Sequence, residues 1–264
     1  MTTAAAGTPM IDAHRLYRFY HAGDEEVLAL RGVSLQVFEA EMVAVVGPSG
    51  SGKSTLLACL AGLDDPDGGS VSVAGRRISR VGERQRARLR ADVLGVLLQS
   101  GNLVGHLSVA DNVRLAQNLA GRRGHQPAES RTGRRARTSV ATLLGRLGLE
   151  DRAGAQPAAL SGGELARAGL AVALANDPPV LLADEPTGEL DSRTEADVAD
   201  LLLEQAGEGR AVVVVTHSSV LAERAHRVVT LADGVVDTAD GVVDTAAGVI
   251  ETADGVIDTP GRPS

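Results

Sequence analysis

Eight consecutive residues carry the plainest chemistry in the chain. Gly47-Pro48-Ser49-Gly50-Ser51-Gly52-Lys53-Ser54 fits the phosphate-binding pattern G-x-x-x-x-G-K-[ST]. Its glycines let the backbone wrap a run of phosphates so that successive N–H groups point inward. A helix opening at the same point adds positive potential. Lys53 is then placed to reach the β- and γ-phosphates, and Ser54 to offer its hydroxyl to Mg²⁺. Thr55 follows and joins the residues expected to touch the nucleotide. Lys53 is the only lysine among 26 basic residues, the others all being arginine. A compact, rotatable ammonium is not equivalent to a planar guanidinium. Its retention at this one loop marks Lys53 as chemically required.

Two further segments add to that loop. Val180-Leu181-Leu182-Ala183-Asp184-Glu185 is a buried-strand pattern ending in two acids. An acid at the end of such a strand lies beside the phosphate loop in doubly wound sheets. Asp184 can then hold Mg²⁺ through its water shell, and Glu185 can polarise an attacking water. Leu160-Ser161-Gly162-Gly163-Glu164 is a second Ser-Gly-Gly turn at a helix start, and so a second anion site built from backbone N–H groups. One nucleotide does not need two such sites in one subunit. Two subunits facing head to tail would use both, the loop of one and the Ser161 turn of the other enclosing each ATP.

The elements that must position these residues are legible as alternating strands and helices. Apolar, β-branched runs recur at 34–37, 42–46, 93–98, 180–183 and 211–216. Helical segments, at 53–61 and 193–205 for instance, alternate with several of them. That alternation predicts an α/β domain with a mainly parallel sheet. Between residues 105 and 175 the sequence offers no convincing strand, which predicts an inserted helical subdomain. The domain as a whole is expected over 11–237. A seven-residue unit, ADGVVDT at 232–238, repeats at 239–245, 246–252 and 253–259 with small changes. Asp-Gly is a hairpin-turn signal, so the first copy is expected to close the domain as a β-hairpin. Residues 238–264 are expected to form an extended acidic tail.

Composition narrows the functional classes. Apolar residues make up 44% of the 264, enough for a sizeable core, but the aromatics are only Tyr17, Phe19, Tyr20 and Phe38. Leu, Val and Ala must build the interior. Net charge is −8, and residues 232–259 hold seven acids and no base. The body is therefore nearly neutral, without the overall basic field that favours nucleic acid. The single cysteine, Cys59, excludes an intramolecular disulfide framework and fits a reducing compartment. The N-terminus has no basic start followed by an apolar run, so no signal peptide is expected. No apolar run is long enough to span a bilayer, so a membrane role requires a partner. Two arginine-rich stretches, 76–90 and 122–137, are expected to be solvated faces, with lipid head groups or a basic-seeking partner as the alternative.

In this order and spacing the motifs resemble those of the ABC transporter ATPases over roughly residues 11 to 237. The Ser161-Gly162-Gly163-Glu164 segment resembles the family's signature motif. The resemblance implies a P-loop NTPase fold, α/β, with an N-terminal antiparallel β region and an inserted helical subdomain. It implies that Gln99 is the Q-loop glutamine, contacting Mg²⁺ and the attacking water and facing a transmembrane partner. His217 matches the switch histidine at the γ-phosphate. Gly188-Glu189-Leu190-Asp191 matches the D-loop, which crosses the dimer interface. Tyr20 matches the aromatic that stacks on adenine, with Tyr17 three residues away as the competing aromatic. Leu182 to Gly188, and Arg18-Phe19-Tyr20 followed by 22–27, resemble the group that powers lipoprotein release, macrolide and peptide efflux, and cell-division complexes. Their ATPase is often a separate polypeptide.

Four departures from the family pattern stand out: Leu165 and Ala166 before Arg167, Val172 for a common arginine, Ser218 after the histidine, and Ala40 for a common glycine. None removes a catalytic group. The expected assembly is a homodimer, or a pair with a closely related ATPase subunit. It binds ATP and Mg²⁺ and docks on an integral membrane permease at the cytoplasmic face of the membrane, with no nucleic acid partner. The competing classes are a soluble ABC ATPase acting on DNA or ribosomes, which usually carries two units or a long coiled-coil insertion, and a non-catalytic regulatory subunit, which would lack Lys53, Glu185 or His217.

Overall fold

The computed structural model describes residues 7–22, 25–121, 138–188 and 190–236. The second arginine-rich stretch, Glu189 of the D-loop and the tail beyond 236 lie outside the described residues. The chain begins with β1 (Ile11–Ala22), β2 (Glu25–Val37), β3 (Met42–Val46), α1 (Lys53–Leu60), β4 (Gly68–Val73) and β5 (Arg76–Arg77). It continues through α2 (Glu83–Val93), β6 (Leu94–Leu97), α3 (Val109–Gly121), α4 (Val140–Arg146) and α5 (Gly162–Leu174). It ends with β7 (Val180–Asp184), α6 (Ser192–Gly207), β8 (Ala211–Val215), α7 (Ser219–Arg224), β9 (Arg227–Ala232) and β10 (Val235–Val236).

Two sheets result. β2-β1-β4-β5 is antiparallel, and β10-β9-β3-β8-β7-β6 is parallel except for the β9–β10 hairpin. The parallel strands are short, continuously apolar runs because helices and the second sheet bury both of their faces. Alternate residues serve different cores. Val43, Val45, Leu182, Val213 and Val215 face a cluster shared with α1 and the antiparallel sheet. Met42, Leu181, Ala183, Val212 and Val214 face a cluster shared with α3, α4, α5 and α6. Each strand thus joins two hydrophobic layers, which makes a one-residue register slip costly.

Among the described residues, 105–175 contain helices and short 3₁₀ turns and no strand. The Asp233-Gly234 turn joins β9 to β10, and Gly234 N–H donates to the Ser51 carbonyl at 3.0 Å. Cys59 is fully buried, and burial pushes its thiol up to about 12. The first arginine-rich stretch departs in part from the expected solvated face. It includes α2, where Arg86 pairs with Asp65 and Glu83, and Arg90 reaches Glu83 and the Gly62 carbonyl. Arg86 and Arg90, two of the seven arginines of the stretch, therefore tie α2 to the loop after α1, while Arg76, Arg77, Arg80, Arg84 and Arg88 are exposed as expected.

The turn between β2 and β3 carries local strain. Ala40 adopts φ +60° there, a left-handed conformation that costs a residue with a Cβ about 1 kcal/mol. The turn is held by Glu41, whose Oε2 accepts from Phe38 N–H at 2.8 Å. Replacing Ala40 by glycine should raise stability by about 0.5–1 kcal/mol. Chemical denaturation of the two proteins checks this, and a lower midpoint for Ala40→Gly would contradict it.

Candidate functional site

Parallel pairing brings the chemistry to one edge. Val45 of β3 lies opposite Val215 of β8, and Val215 opposite Asp184 of β7. Ala183 lies opposite Leu97 of β6. The chain leaves these strands, all at the same end of the sheet, into the phosphate loop, His217, Glu185 and Gln99.

The phosphate loop is tightly seated. Gly47 has φ +151°, and a Cβ there would lie 2.0 Å from the Leu231 carbonyl oxygen, so only glycine fits. Pro48, Ser49 and Gly50 are exposed, whereas Ser51 is buried with its Oγ unpartnered. Gly52 caps α1 in the left-handed conformation. Lys53 opens that helix and is only 6% exposed. Its Nζ donates to the Gly47 carbonyl at 2.8 Å and the Pro48 carbonyl at 2.9 Å. The ammonium thus sits inside the arch of the loop. Ser54 is exposed at the first turn and Thr55 is half-buried.

The two acids at the end of β7 differ in environment. Burial raises the pKa of Asp184, while a hydrogen bond from the Ser54 hydroxyl pulls the other way and neighbouring Glu185 adds to the rise. Asp184 Oδ1 is buried with no partner. An unpaired carboxylate oxygen beside a hydroxyl is a hard-oxygen donor pair, the kind Mg²⁺ takes. Among the described residues no cluster of three or more His, Cys, Asp or Glu could hold a metal alone. That suits an ion that keeps waters and phosphates as its other ligands.

Glu185 stands at φ +45°, a strained conformation for a residue with a side chain. It is anchored by its own N–H to the Val215 carbonyl at 2.9 Å. Its Oε2 accepts from His217 N–H at 3.2 Å and from the Thr216 hydroxyl at 3.4 Å. His217 Nε2 lies 3.5 Å from Glu185 Oε1. The structure therefore brings Glu185 and His217 into direct contact, with Thr216 as a third member that sequence reasoning missed. Ser218 caps α7, accepting from Leu221 N–H at 3.1 Å. Serine and aspartate both serve at that position, so this departure costs little.

Ser161 caps α5 in a reciprocal box with Glu164. Ser161 N–H donates to Glu164 Oε2 at 2.8 Å, and Glu164 N–H donates to Ser161 Oγ at 3.3 Å. The hydrogen bond from Ser161 N–H, joined by one from Arg152, holds the Glu164 carboxyl down at about 2. The Ser161 hydroxyl therefore stays within the box, accepting from Glu164 N–H and also hydrogen-bonding the Glu164 carboxylate. Gly163 has a packing reason besides its N–H: a Cβ there would sit 2.2 Å from Thr194 Cγ2 on α6. Asp191 caps α6, accepting from Arg193 and Thr194 N–H at 3.1 Å each and from the Thr194 hydroxyl at 2.7 Å.

Gln99 is exposed beyond β6 and lines a cleft of about 310 Å³ together with Leu98, Gly162, Leu165, Glu185 and Leu190. That cleft separates the signature helix from the end of the core sheet. The two tyrosines part company. Tyr17 packs against Gly32 and Gly68, where a Cβ on either would lie 2.9 Å from the Tyr17 side chain. Tyr20 is 39% exposed, whereas Tyr17 is half-buried.

Comparison with known proteins agrees with this geometry. The ABC transporter family model matches residues 30–188. A macrolide export ATP-binding/permease protein, MacB, of Chlorobium luteolum is 41% identical over 233 residues, 87% of this chain and 33% of that protein. The chain thus spans about a third of the length of its MacB relatives. An ABC transporter ATP-binding protein of Thermotoga maritima is 43% identical over 219 residues, 83% of this chain and 90% of that one. Among solved structures, the dimeric post-hydrolysis state of the ATP-binding cassette MJ0796 bound to ADP and Pi superimposes with a TM-score of 0.75 at 35% identity, covering 86% of this chain and 97% of that one. Motifs, site geometry and relatives together establish that this chain belongs to the ABC transporter family as one of its ATP-hydrolysing cassettes.

Proposed function

We propose that two copies of this cassette, or one copy and a closely related subunit, close head to tail around two Mg·ATP and so drive a membrane permease. The observation that carries this reading is the pairing of a buried Lys53 inside the phosphate arch with a Glu185–His217 contact on the same sheet edge. The chain has a complete hydrolytic set, which separates it from a regulatory subunit. The MacB relatives, named for macrolide export, favour an efflux or force-transmitting role over import.

Each residue has a part in that scheme. Gly47 to Gly52 hold the phosphates with their backbone N–H groups, and Lys53 supplies a positive charge at the β- and γ-phosphates. Ser54 and Asp184 hold Mg²⁺, with Gln99 reaching toward it from the cleft; the ion screens phosphate charge when bound. Glu185 accepts a proton from the attacking water. His217, already touching Glu185, steadies that carboxylate and meets the γ-phosphate. The partner's copy of the signature turn presents the Ser161 hydroxyl and the Gly162 and Gly163 N–H groups to the same phosphate. Asp191 places the D-loop at the contact between copies, and Tyr20 stacks on adenine. Catalysis is then positioning and charge stabilisation. The cleft beside Gln99, with exposed Leu98 and Leu165, receives a cytoplasmic helix of the permease. Among the described residues no helix is long and apolar enough to cross a membrane.

Two variants test the hydrolytic set. Glu185→Gln keeps size and hydrogen bonding but loses the base, so turnover should fall by about 10²–10⁴-fold. An ATP-bound dimer should then persist on size-exclusion chromatography. Turnover equal to that of the unmodified chain would remove Glu185 from the role. Lys53→Arg should weaken ATP binding by about tenfold or more, because a rigid planar fork cannot take the place of an ammonium inside the arch. Calorimetric titration with Mg·ATP measures it, and undiminished affinity would show that the loop needs only a charge.

A further inference from the structure

Tyr20 is held by more than its own rotamer. Its hydroxyl donates to Asp64 Oδ2 at 2.9 Å. The same carboxylate accepts from Arg18, Nε to Oδ2 at 2.8 Å and Nη2 to Oδ1 at 2.9 Å. Arg18 Nη1 also donates to Asp67 Oδ2 at 3.0 Å, an oxygen that accepts from Phe19 N–H at 2.8 Å as well. The guanidinium fixed in this way lies over the Tyr20 ring, 4.7 Å from its centroid. One face of the phenol therefore carries a cation, and its hydroxyl edge is tied to a carboxylate. Burial disfavours the Arg18 charge, but the hydrogen bonds to Asp67 and Asp64 outweigh it and hold the guanidinium above its ordinary range.

The clamp lies close to the phosphate loop. Tyr20 pairs across the sheet with Val27, which is 50% exposed. Two residues further along β2, about 7 Å, the Ala29 carbonyl oxygen approaches Gly52 so closely that a Cβ there would lie 2.4 Å from it. A ribose can bridge such a span between a stacked base and phosphates in the loop. A free tyrosine side chain loses rotamer freedom when it stacks on a ligand, whereas a clamped one has lost it beforehand.

We propose that Arg18, locked by Asp64 and Asp67, is a positioning residue that presents the opposite face of the Tyr20 ring to the purine base of the nucleotide. The proposal rests on the reading of Tyr20 as the base-stacking residue. Arg18 itself does not touch the nucleotide. It acts by fixing the ring plane and by drawing electron density to the covered face.

The test compares Mg·ATP with Mg·tripolyphosphate, which fills the phosphate loop but has no base, by calorimetry on the full chain. Arg18→Met should weaken ATP binding by about three- to tenfold, the scale of a cation–π contact, and leave tripolyphosphate within about twofold. Arg18→Lys, which keeps a cation over the ring, should recover part of the loss. An equal loss for both ligands would mean general distortion and would overturn the proposal. So would unchanged or tighter ATP binding, the latter because it would put the guanidinium on the face that the base needs. Tyr20→Ala separates the two ideas. It should weaken ATP and spare tripolyphosphate, and adding Arg18→Met to it should cost nothing more. If Tyr20→Ala spares ATP, the base-stacking reading falls and takes the clamp with it. If Tyr20→Ala weakens ATP while Arg18→Met does not, only the clamp falls.

Discussion

The parallel ladder β3–β8–β7 is the constraint on which the site depends. Its register sets Val45 against Val215 and Val215 against Asp184. Glu185 and His217 lie one and two residues past those positions, and the phosphate loop starts two residues past Val45. A shift of one residue in β8 would exchange its two apolar faces and move His217 away from Glu185 at the same time. Core packing and site geometry are therefore enforced by the same side chains. Val212 and Val214 bind one hydrophobic layer and Val213 and Val215 the other, and neither layer tolerates the wrong alternation. This is how a chain with four aromatic residues still fixes a catalytic contact: many small β-branched contacts on two faces substitute for a few large ones.

Helix caps are the second device, and two of them, Ser161 and Asp191, lie in the motifs that the proposed closure uses. Ser161 opens α5, Asp191 opens α6 and Ser218 opens α7. A cap turns an otherwise floppy polar side chain into one with a fixed direction. At Ser161 the reciprocal bonds with Glu164 fix the hydroxyl at the start of α5. Arg152 reinforces the box from outside by pairing with Glu164 at 2.7 Å. The Ser-Gly-Gly turn then serves two masters. Its Ser161 N–H closes the box with Glu164, and the missing side chain of Gly163 lets α5 and α6 touch at Thr194.

The legible parts of the fold were those with unbroken local patterns. β3 occupies 42–46 as the apolar run indicates, and β6, β7 and β8 differ from expectation by one residue or so. The antiparallel strand β1 left almost no signal, for a physical reason. Its pairing with β2 shifts register after Ala13, after Leu16 and after Arg18, so inward and outward residues do not alternate cleanly. α2 was hidden in another way: seven of its eleven residues, Glu83-Arg84-Gln85-Arg86 with Arg88, Arg90 and Asp92, are polar. Arg86 pairs with Asp65 and Arg90 donates to the Gly62 carbonyl, so polar contacts join the few apolar ones on the face that packs. In the site, contiguous motifs revealed Lys53, Asp184, Glu185 and Ser161. Arg18–Asp64 and Thr216–Glu185 join residues 46 and 31 positions apart, and nothing in the local pattern announces such pairings.

The strained positions sharpen the distinction between scaffold and site. Ala40 and Glu185 both have positive φ without being glycine. At Ala40 the strain does nothing visible; the turn there carries no chemistry, and a glycine would serve better. At Glu185 the backbone N–H is pinned to Val215 and the carboxylate is pinned to His217 and Thr216. The conformation is over-determined from both ends, and it alone turns the side chain from the sheet axis toward the histidine. Relaxing it to an ordinary φ would break the contact that the ladder register was built to make. Strain of about 1–3 kcal/mol is held there by a core whose own alternation leaves β7 and β8 no other alignment.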